Sequence, residues 1–338
     1  MYMMFVYGID KVKGGTCLKK YINNAAKNTN QKVNEVFLFR QMARALNTQT
    51  SHSVFVKEAH AKMYVKYQLD SKRFAMLPGF NPIIKKVELG DLLILTYDAK
   101  VKLLRMSIMQ AKYKSIPYRN FLDLYLNLYQ WELLNFKPTL VWSNHGIPFN
   151  ILNFQTRFKS IASYGIFYRD NYKNEIDLLY VIPELLKYKN RDIYKGINKI
   201  IKNKQKLPKT RDYSFGFQCP QGLNNQPVPS CQMGFIPQET ISTCSIDSFK
   251  DEILNWRIGA PILPGESDEV LMWILGILKK IRDDFNVDHT IQQMIDDILR
   301  DYSNGDKNYI KDLKIPEHIP PILLTGVNLP YSEIENND

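Results

Sequence analysis

Three polar side chains in residues 87–113 could together hold a divalent cation and a phosphate group. Asp91 stands at the front of one apolar run, and Gln110 and Lys112 stand at the end of the next. Side chains two residues apart on a strand project from the same face, so Gln110 and Lys112 share a face. A carboxylate and an amide carbonyl are oxygen ligands for a hard cation, and an ammonium group can contact a phosphate or an attacking water.

The elements that would position these residues are two strands. The polar break at residues 97–100 can turn the chain back, so the two apolar runs are expected to pair as a β-hairpin. The carboxylate, the amide and the ammonium would then converge on one spot. The plain alternative is that these groups are solvated strand ends, which often carry an Asp or a Lys.

This stretch resembles the PD-(D/E)xK nuclease superfamily, in which an Asp on one strand is followed by (D/E)xK on the next. Here the first motif reads Gly90-Asp91 and the second reads Gln110-Ala111-Lys112, similar to the QxK form of Mrr-like restriction endonucleases. The resemblance covers about the first third of the chain. It implies Mg²⁺ or Mn²⁺ as cofactor, with Asp91 and Gln110 as metal ligands and Lys112 orienting water or stabilising the phosphate. An amide binds a divalent ion more weakly than a carboxylate does.

The same resemblance implies further site residues. Apolar periodicity predicts a helix over residues 33–46, and Glu35 on it matches the Glu that often completes the metal site. A helix-surface role is the alternative for Glu35, and Glu58 and Glu88 are alternative acids. Gln130 resembles polar residues found beside the site after the QxK strand.

The composition suits a polyanionic partner. The chain has 338 residues, 45% of them hydrophobic, and a formal net charge of +11, although residues 283–338 are net acidic. The densest basic run lies within residues 183–212, where phosphate contacts and a solvated helix face beside a linker are both consistent with the pattern. The residues expected to contact nucleic acid are Lys114, Arg119, Lys195, Lys199, Lys202 and Lys204.

The fold class expected is α/β, with a restriction-endonuclease-like mixed sheet flanked by helices and a C-terminal α+β or helical region. The predicted divisions are a nuclease-like domain over 1–182, a basic linker or helix over 183–212, and a C-terminal domain of unassigned role over 213–338. Strands are expected over 53–56, 139–143 and 162–168, and helices over 118–136, 268–282 and 290–302.

Several classes of protein find no support in the sequence. The four cysteines are few and scattered, so buried free thiols are expected rather than a disulfide framework or a zinc site. No signal peptide or membrane-spanning run is evident, so a cytoplasmic protein that does not enter membranes is expected. No Walker loop, GxGxxG or HExxH motif is present.

The interpretation is therefore a metal-dependent DNA endonuclease acting in restriction or anti-phage defence. A defence-system partner protein, an activating ligand and self-association stay open as further partners. One alternative is a catalytically inactive nucleic-acid-binding module on a nuclease-like fold, because Gln110 replaces an acid. The other is a structural or assembly protein whose positive charge merely suits a polyanion.

Overall fold

The architecture comes from a computed structural model. It describes residues 18–49, 53–57, 62–73, 82–118, 122–153, 158–170, 174–188, 199, 212–217, 239–263, 268–303, 313–317 and 319–326. The described residues form an α/β fold with a mixed sheet, which confirms the expected fold class.

The main sheet has eight strands, of which seven follow the order β1-β14-β4-β5-β8-β9-β12, and β13 pairs with β5. The pairs β14–β4 and β5–β8 are parallel and the other pairs are antiparallel. The strands are β1 (Ser53–Lys57), β4 (Leu92–Asp98), β5 (Leu103–Tyr118), β8 (Ala162–Asp170), β9 (Ile176–Val181), β12 (Ser242–Thr243), β13 (Ala260–Pro261) and β14 (Ile322–Gly326).

Two smaller antiparallel sheets accompany the main one. The first has the order β3-β2-β7 and the second has the order β10-β11-β6. Their strands are β2 (Met63–Gln68), β3 (Ile84–Gly90), β6 (Leu122–Asn127), β7 (Leu140–Ser143), β10 (Lys187–Tyr188) and β11 (Asp212–Phe217).

Six α-helices and one short 3₁₀ turn (Pro183–Leu185) lie in the described part of the chain. The helices are α1 (Leu18–Lys27), α2 (Glu35–Gln49), α3 (Leu128–Phe136), α4 (Ile246–Leu254), α5 (Asp268–Asp284) and α6 (His289–Tyr302). Apolar residues of α1, α2 and α4 cluster on one face of the main sheet, with Ile94 and Met109. Those of α3, α5 and α6 cluster on the other face, with Leu93 and Leu95.

The predicted hairpin is present. β4 pairs with β5 in an antiparallel register that sets Leu92 opposite Met109 and Asp98 opposite Leu103. The turn between them is braced by the Asp98 carboxylate, which accepts a hydrogen bond from the backbone N–H of Lys100 at 3.0 Å. Strands over 53–57, 140–143 and 162–170 and helices over 268–284 and 289–302 also match their predictions.

The helix predicted over residues 118–136 is wrong in its first half. β5 extends to Tyr118, residues 122–127 form β6, and only Leu128–Phe136 is helical. The backbone of β6 pairs with β11, with Leu126 opposite Tyr213. This long-range pairing satisfies the backbone of a segment whose apolar pattern also fits a helix.

The C-terminal part of the chain contributes to the main sheet. β14 lies between β1 and β4, and β12 and β13 join the same sheet, so strands come from both sides of the predicted linker over 183–212. Of the predicted nucleic-acid contacts, Lys195, Lys202, Lys204 and Arg119 lie outside the described residues. Lys199 is described and exposed.

Two further expectations can be compared with the structure. Cys244 is disulfide-bonded, so the expectation of free thiols is wrong for this cysteine. Within the residues that the structure describes, no helix is both long and apolar enough to cross a bilayer.

Candidate active site at the junction of two sheets

Asp91 lies at the point where the chain passes from the small β3-β2-β7 sheet into the main sheet. Its backbone N–H donates to the carbonyl of Met109 on β5 at 2.9 Å. The residue before it packs very closely on β5, because a Cβ at Gly90 would lie 2.6 Å from Cγ2 of Ile108. Glycine at this position therefore allows the bend that brings Asp91 against β5.

The Asp91 carboxylate continues the hydrogen bonding of β5 next to Leu92, the first residue of β4. Its Oδ2 accepts a hydrogen bond from the backbone N–H of Ala111 at 2.7 Å and another from Nε2 of Gln110. A buried backbone N–H must find an acceptor, and here the carboxylate replaces a neighbouring strand. Both bonds go to Oδ2, and no hydrogen bond to Oδ1 occurs within the described residues.

Gln110 is the middle residue of a hydrogen-bonded chain that runs from the amide of Gln130 through the amide of Gln110 to the carboxylate of Asp91. Nε2 of Gln130 donates to the backbone carbonyl of Glu88 at 2.9 Å and also to Oε1 of Gln110. An amide nitrogen has two hydrogens, and both from Gln130 are used in this way. Gln130 therefore turns the carbonyl of Gln110 toward itself and the N–H groups of Gln110 toward Asp91.

The start of α3 sets the position of Gln130. Asn127 caps the helix, and its side chain accepts from the backbone N–H of Gln130 at 3.1 Å. An Asn at the N-cap with Gln three residues later is a recognised helix-start pattern. The strand β6 ends at this cap, so Gln130 lies in the first turn of the helix and reaches β3 and β5.

The pKa of Asp91 is raised to about 6, first by burial and then by the negative charge of Glu88. The hydrogen bond from Ala111 and the positive charges of Lys112 and Lys62 act in the opposite direction. Lys62 pairs with Glu88 at 3.3 Å, so part of its charge is already compensated. Lys112 acts on Asp91 without an ion pair between them in the described structure.

Tyr164 is a member of the site that the sequence did not identify. It lies opposite Gln110 in the parallel pairing of β5 with β8, and its side chain is fully buried. Burial raises the pKa of the Tyr164 phenol, and the charge of Asp91 raises it further. Its hydroxyl has no hydrogen-bond partner among the described residues. A tyrosine within a buried strand was the only sequence signal available for it.

Glu35 is not brought to this group. It is the first residue of α2, whose buried residues Phe37 and Leu38 pack with Met109 on the face of the sheet opposite α3. Across the described residues, no hydrogen bond or ion pair joins Glu35 to Asp91. The role of Glu35 as a third ligand stays a prediction. Glu88, the alternative acid on β3, is close enough for its negative charge to raise the pKa of Asp91. Glu58 lies outside the described residues.

Lys114 follows Lys112 on β5 and is half-buried, opposite Tyr168 of β8. By strand alternation it shares the face of Gln110 and Lys112. The predicted residues Asp91, Gln110 and Lys112 therefore lie close together at the open end of the hairpin, and Lys114 lies two residues further along β5.

The donor set suits a hard cation bound mainly by one carboxylate. Mg²⁺ commonly takes one or two carboxylates and keeps several waters, which matches Oδ1 of Asp91 with Glu88 close by. No group of three or more His, Cys, Asp or Glu side chains able to hold a metal occurs in the described part of the chain.

Comparison of the chain with known proteins finds no matching protein family, no matching curated protein and no matching solved structure.

Proposed function

We propose that this protein is a divalent-metal-dependent DNA endonuclease. The observation that supports it is the meeting of Asp91, Gln110 and Lys112 on one face of the β4–β5 hairpin, in the order and spacing of a PD-(D/E)xK site. The acid directly precedes β4, and the amide and the lysine lie on the adjacent strand β5, which is similar to the order in that superfamily. The α/β architecture with helices on both faces of a mixed sheet is consistent with it.

The charge of each side chain determines its proposed role. Oδ1 of Asp91 would hold Mg²⁺ or Mn²⁺, with Gln110 and Glu88 close enough to contribute. Such an ion offsets charge on a phosphate and lowers the pKa of bound water. Lys112 would contact the scissile phosphate or its attacking water, because its ammonium lies on the same face of β5 as Gln110.

The proposed substrate is DNA, and the proposed setting is restriction or anti-phage defence inside the cell. The net charge of +11 favours a polyanionic substrate. The choice of DNA and of defence rests on the resemblance to Mrr-like enzymes. A defence-system partner or an activating ligand is part of the same proposal, as is self-association.

A second candidate is a DNA-binding protein without cleavage activity. The chain of amides favours it, since Gln110 turns N–H groups rather than its carbonyl toward Asp91. An N–H group cannot ligate a cation, so a metal bound through Gln110 would require that amide to rotate.

The test is incubation of supercoiled plasmid DNA with Mg²⁺ or Mn²⁺. We expect nicking or linearisation by the wild type, and a loss of about 10²-fold or more in Asp91→Ala and in Lys112→Ala, with DNA binding retained. Lys100→Ala, which removes an exposed lysine from the far end of the hairpin, is the matched control and should cleave normally.

Three results separate the candidates. Cleavage at the wild-type rate by Asp91→Ala would overturn the proposed site. Binding without cleavage in either metal would favour the non-catalytic DNA-binding protein. No binding to DNA even at low salt would leave the structural or assembly role.

A further inference from the structure

The outer face of the β3-β2-β7 sheet carries aromatic and basic side chains. Along β2, the alternate residues Val65 and Tyr67 are buried in the core, so Tyr64 and Lys66 point to the other side. The same face includes two unusually exposed apolar side chains, Ile84 at 50% and Trp142 at 37% exposure. The full set of outward residues is Ile84, Lys86, Glu88, Tyr64, Lys66, Gln68 and Trp142.

Three of these residues form a row across the sheet. Lys66 lies directly opposite Lys86 on β3 and directly opposite Trp142 on β7. Like charges directly opposite one another destabilise a sheet. In the described structure, neither ammonium pairs with a carboxylate, and both lie over the indole of Trp142, at 5.0 and 5.2 Å from the ring centroid. The positive charges of Lys66 and Lys86 beside the exposed indole of Trp142 suit a ligand that has both an anionic group and an aromatic ring.

One end of this face lies near the candidate active site, because the charge of Glu88 acts on Asp91. Glu88 follows Lys86 by two residues on the same side of β3, and Asp91 lies three residues beyond it. A strand rises about 3.4 Å per residue, so Lys86 and Asp91 are separated by at most about 17 Å along the chain. Lys62 pairs with Glu88 at 3.3 Å, so these two opposite charges nearly cancel at the end of the face that lies nearest Asp91.

We propose that this face binds an unpaired stretch of DNA, with a base stacked on Trp142 and phosphates held by Lys66 and Lys86. Exposed aromatic rings flanked by basic groups bind single strands because every base offers a π-face and every nucleotide a phosphate. A duplex hides its base faces, and an acidic protein segment would pair the lysines without covering the ring. The inference deepens the proposed function, since the strand held here would lead to Asp91.

The first measurement is fluorescence anisotropy with a labelled 15-nucleotide oligothymidine, in EDTA and at low salt. The chelator removes cleavage, so the result does not depend on metal chemistry. Trp142→Ala is expected to bind about tenfold more weakly, and Trp142→Phe, which keeps a stacking ring, is expected to stay within about threefold of the wild type. Tyr125→Ala removes another aromatic side chain, 73% exposed and on a different sheet, and should bind as the wild type does.

The second measurement is the salt dependence of that affinity. Each phosphate contact to a single strand adds about 0.7 to the slope of log K against log salt. The Lys66→Ala/Lys86→Ala variant is therefore expected to lose about 1.4 from the slope. A matched control, Lys20→Ala/Lys27→Ala, removes two exposed lysines from α1 on the opposite side of the main sheet and should keep the slope.

Several outcomes would overturn the inference. These are no binding of oligothymidine by the wild type, unchanged affinity in Trp142→Ala, equal losses in the control variants, tighter binding of a 15-base-pair duplex, and tighter binding of oligouridine. A change in sedimentation of Trp142→Ala alone would identify the face as an interface between copies of the chain and would also overturn it. Oligothymidine binding as described, without plasmid cleavage in metal, would uphold this inference and contradict the proposed nuclease activity.

Discussion

Gln110 donates its amide N–H to the carboxylate of Asp91, and its carbonyl accepts from Gln130. Gln130 also donates to the backbone carbonyl of Glu88, which can only accept a hydrogen bond. This carbonyl therefore fixes which end of each amide donates and which accepts. Coordination of a cation by the Gln110 carbonyl and the hydrogen bond from Gln130 are therefore alternatives.

Replacing Gln130 with Met should destabilise the protein by about 1–3 kcal/mol. The substitution keeps a long side chain but leaves the buried Gln110 carbonyl without its donor. Urea denaturation of the two proteins measures the difference. Gln292→Met, on the exposed side of α6, is the control and should change stability by no more than about 0.5 kcal/mol. Equal stability of Gln130→Met and wild type would show that the chain of amides does not hold the site.

The stability of the metal-free protein should fall as the pH rises from about 4 to about 6 through the titration of Asp91. The pKa of this carboxyl is raised to about 6 in the fold, so folding favours its protonated form, and that advantage is lost above the folded pKa. The loss is at most about 3 kcal/mol, since each tenfold change in proton affinity is worth about 1.4 kcal/mol.

The comparison that isolates this effect is Asp91→Asn, which cannot ionise. The difference in unfolding free energy between the variant and the wild type should shift in favour of the variant over that pH range. A difference that stays constant with pH would contradict the raised pKa of Asp91.

Gln110→Glu should bind Mn²⁺ about tenfold more tightly than the wild type. The new carboxylate would accept from Gln130 and stand beside Asp91, where two like charges favour a shared cation. Isothermal titration calorimetry at pH 7.5 measures the affinity. Gln68→Glu adds the same charge to the exposed end of β2 and is the control. An affinity no tighter than that of the wild type would indicate that Gln110 does not face the cation site.

Much of this site could be predicted because it depends on local pattern. Two apolar runs with a polar break between them define the hairpin, and alternation places Gln110 and Lys112 on one face. The contact of Gly90 with Ile108 shows why glycine is needed there.

Other parts depend on pairings between distant segments. Residues 122–127 pair with Asp212–Phe217, which overrides a helical apolar pattern. Asn127, followed three residues later by Gln130, is the sequence signal that marks the true start of this helix. The row of Lys86, Lys66 and Trp142 exists only because three separate strands meet in register, so no local pattern could reveal it.

The most direct test of the account is Mn²⁺ binding followed by electron paramagnetic resonance at pH 7.5, in the wild type and in Asp91→Asn. Asp284→Asn, which removes an exposed acid from the end of α5, is the control. We expect one Mn²⁺ site in the wild type and in the control, and its loss or a weakening of about tenfold or more in Asp91→Asn. Equal Mn²⁺ binding by all three proteins, or none by the wild type, would contradict it.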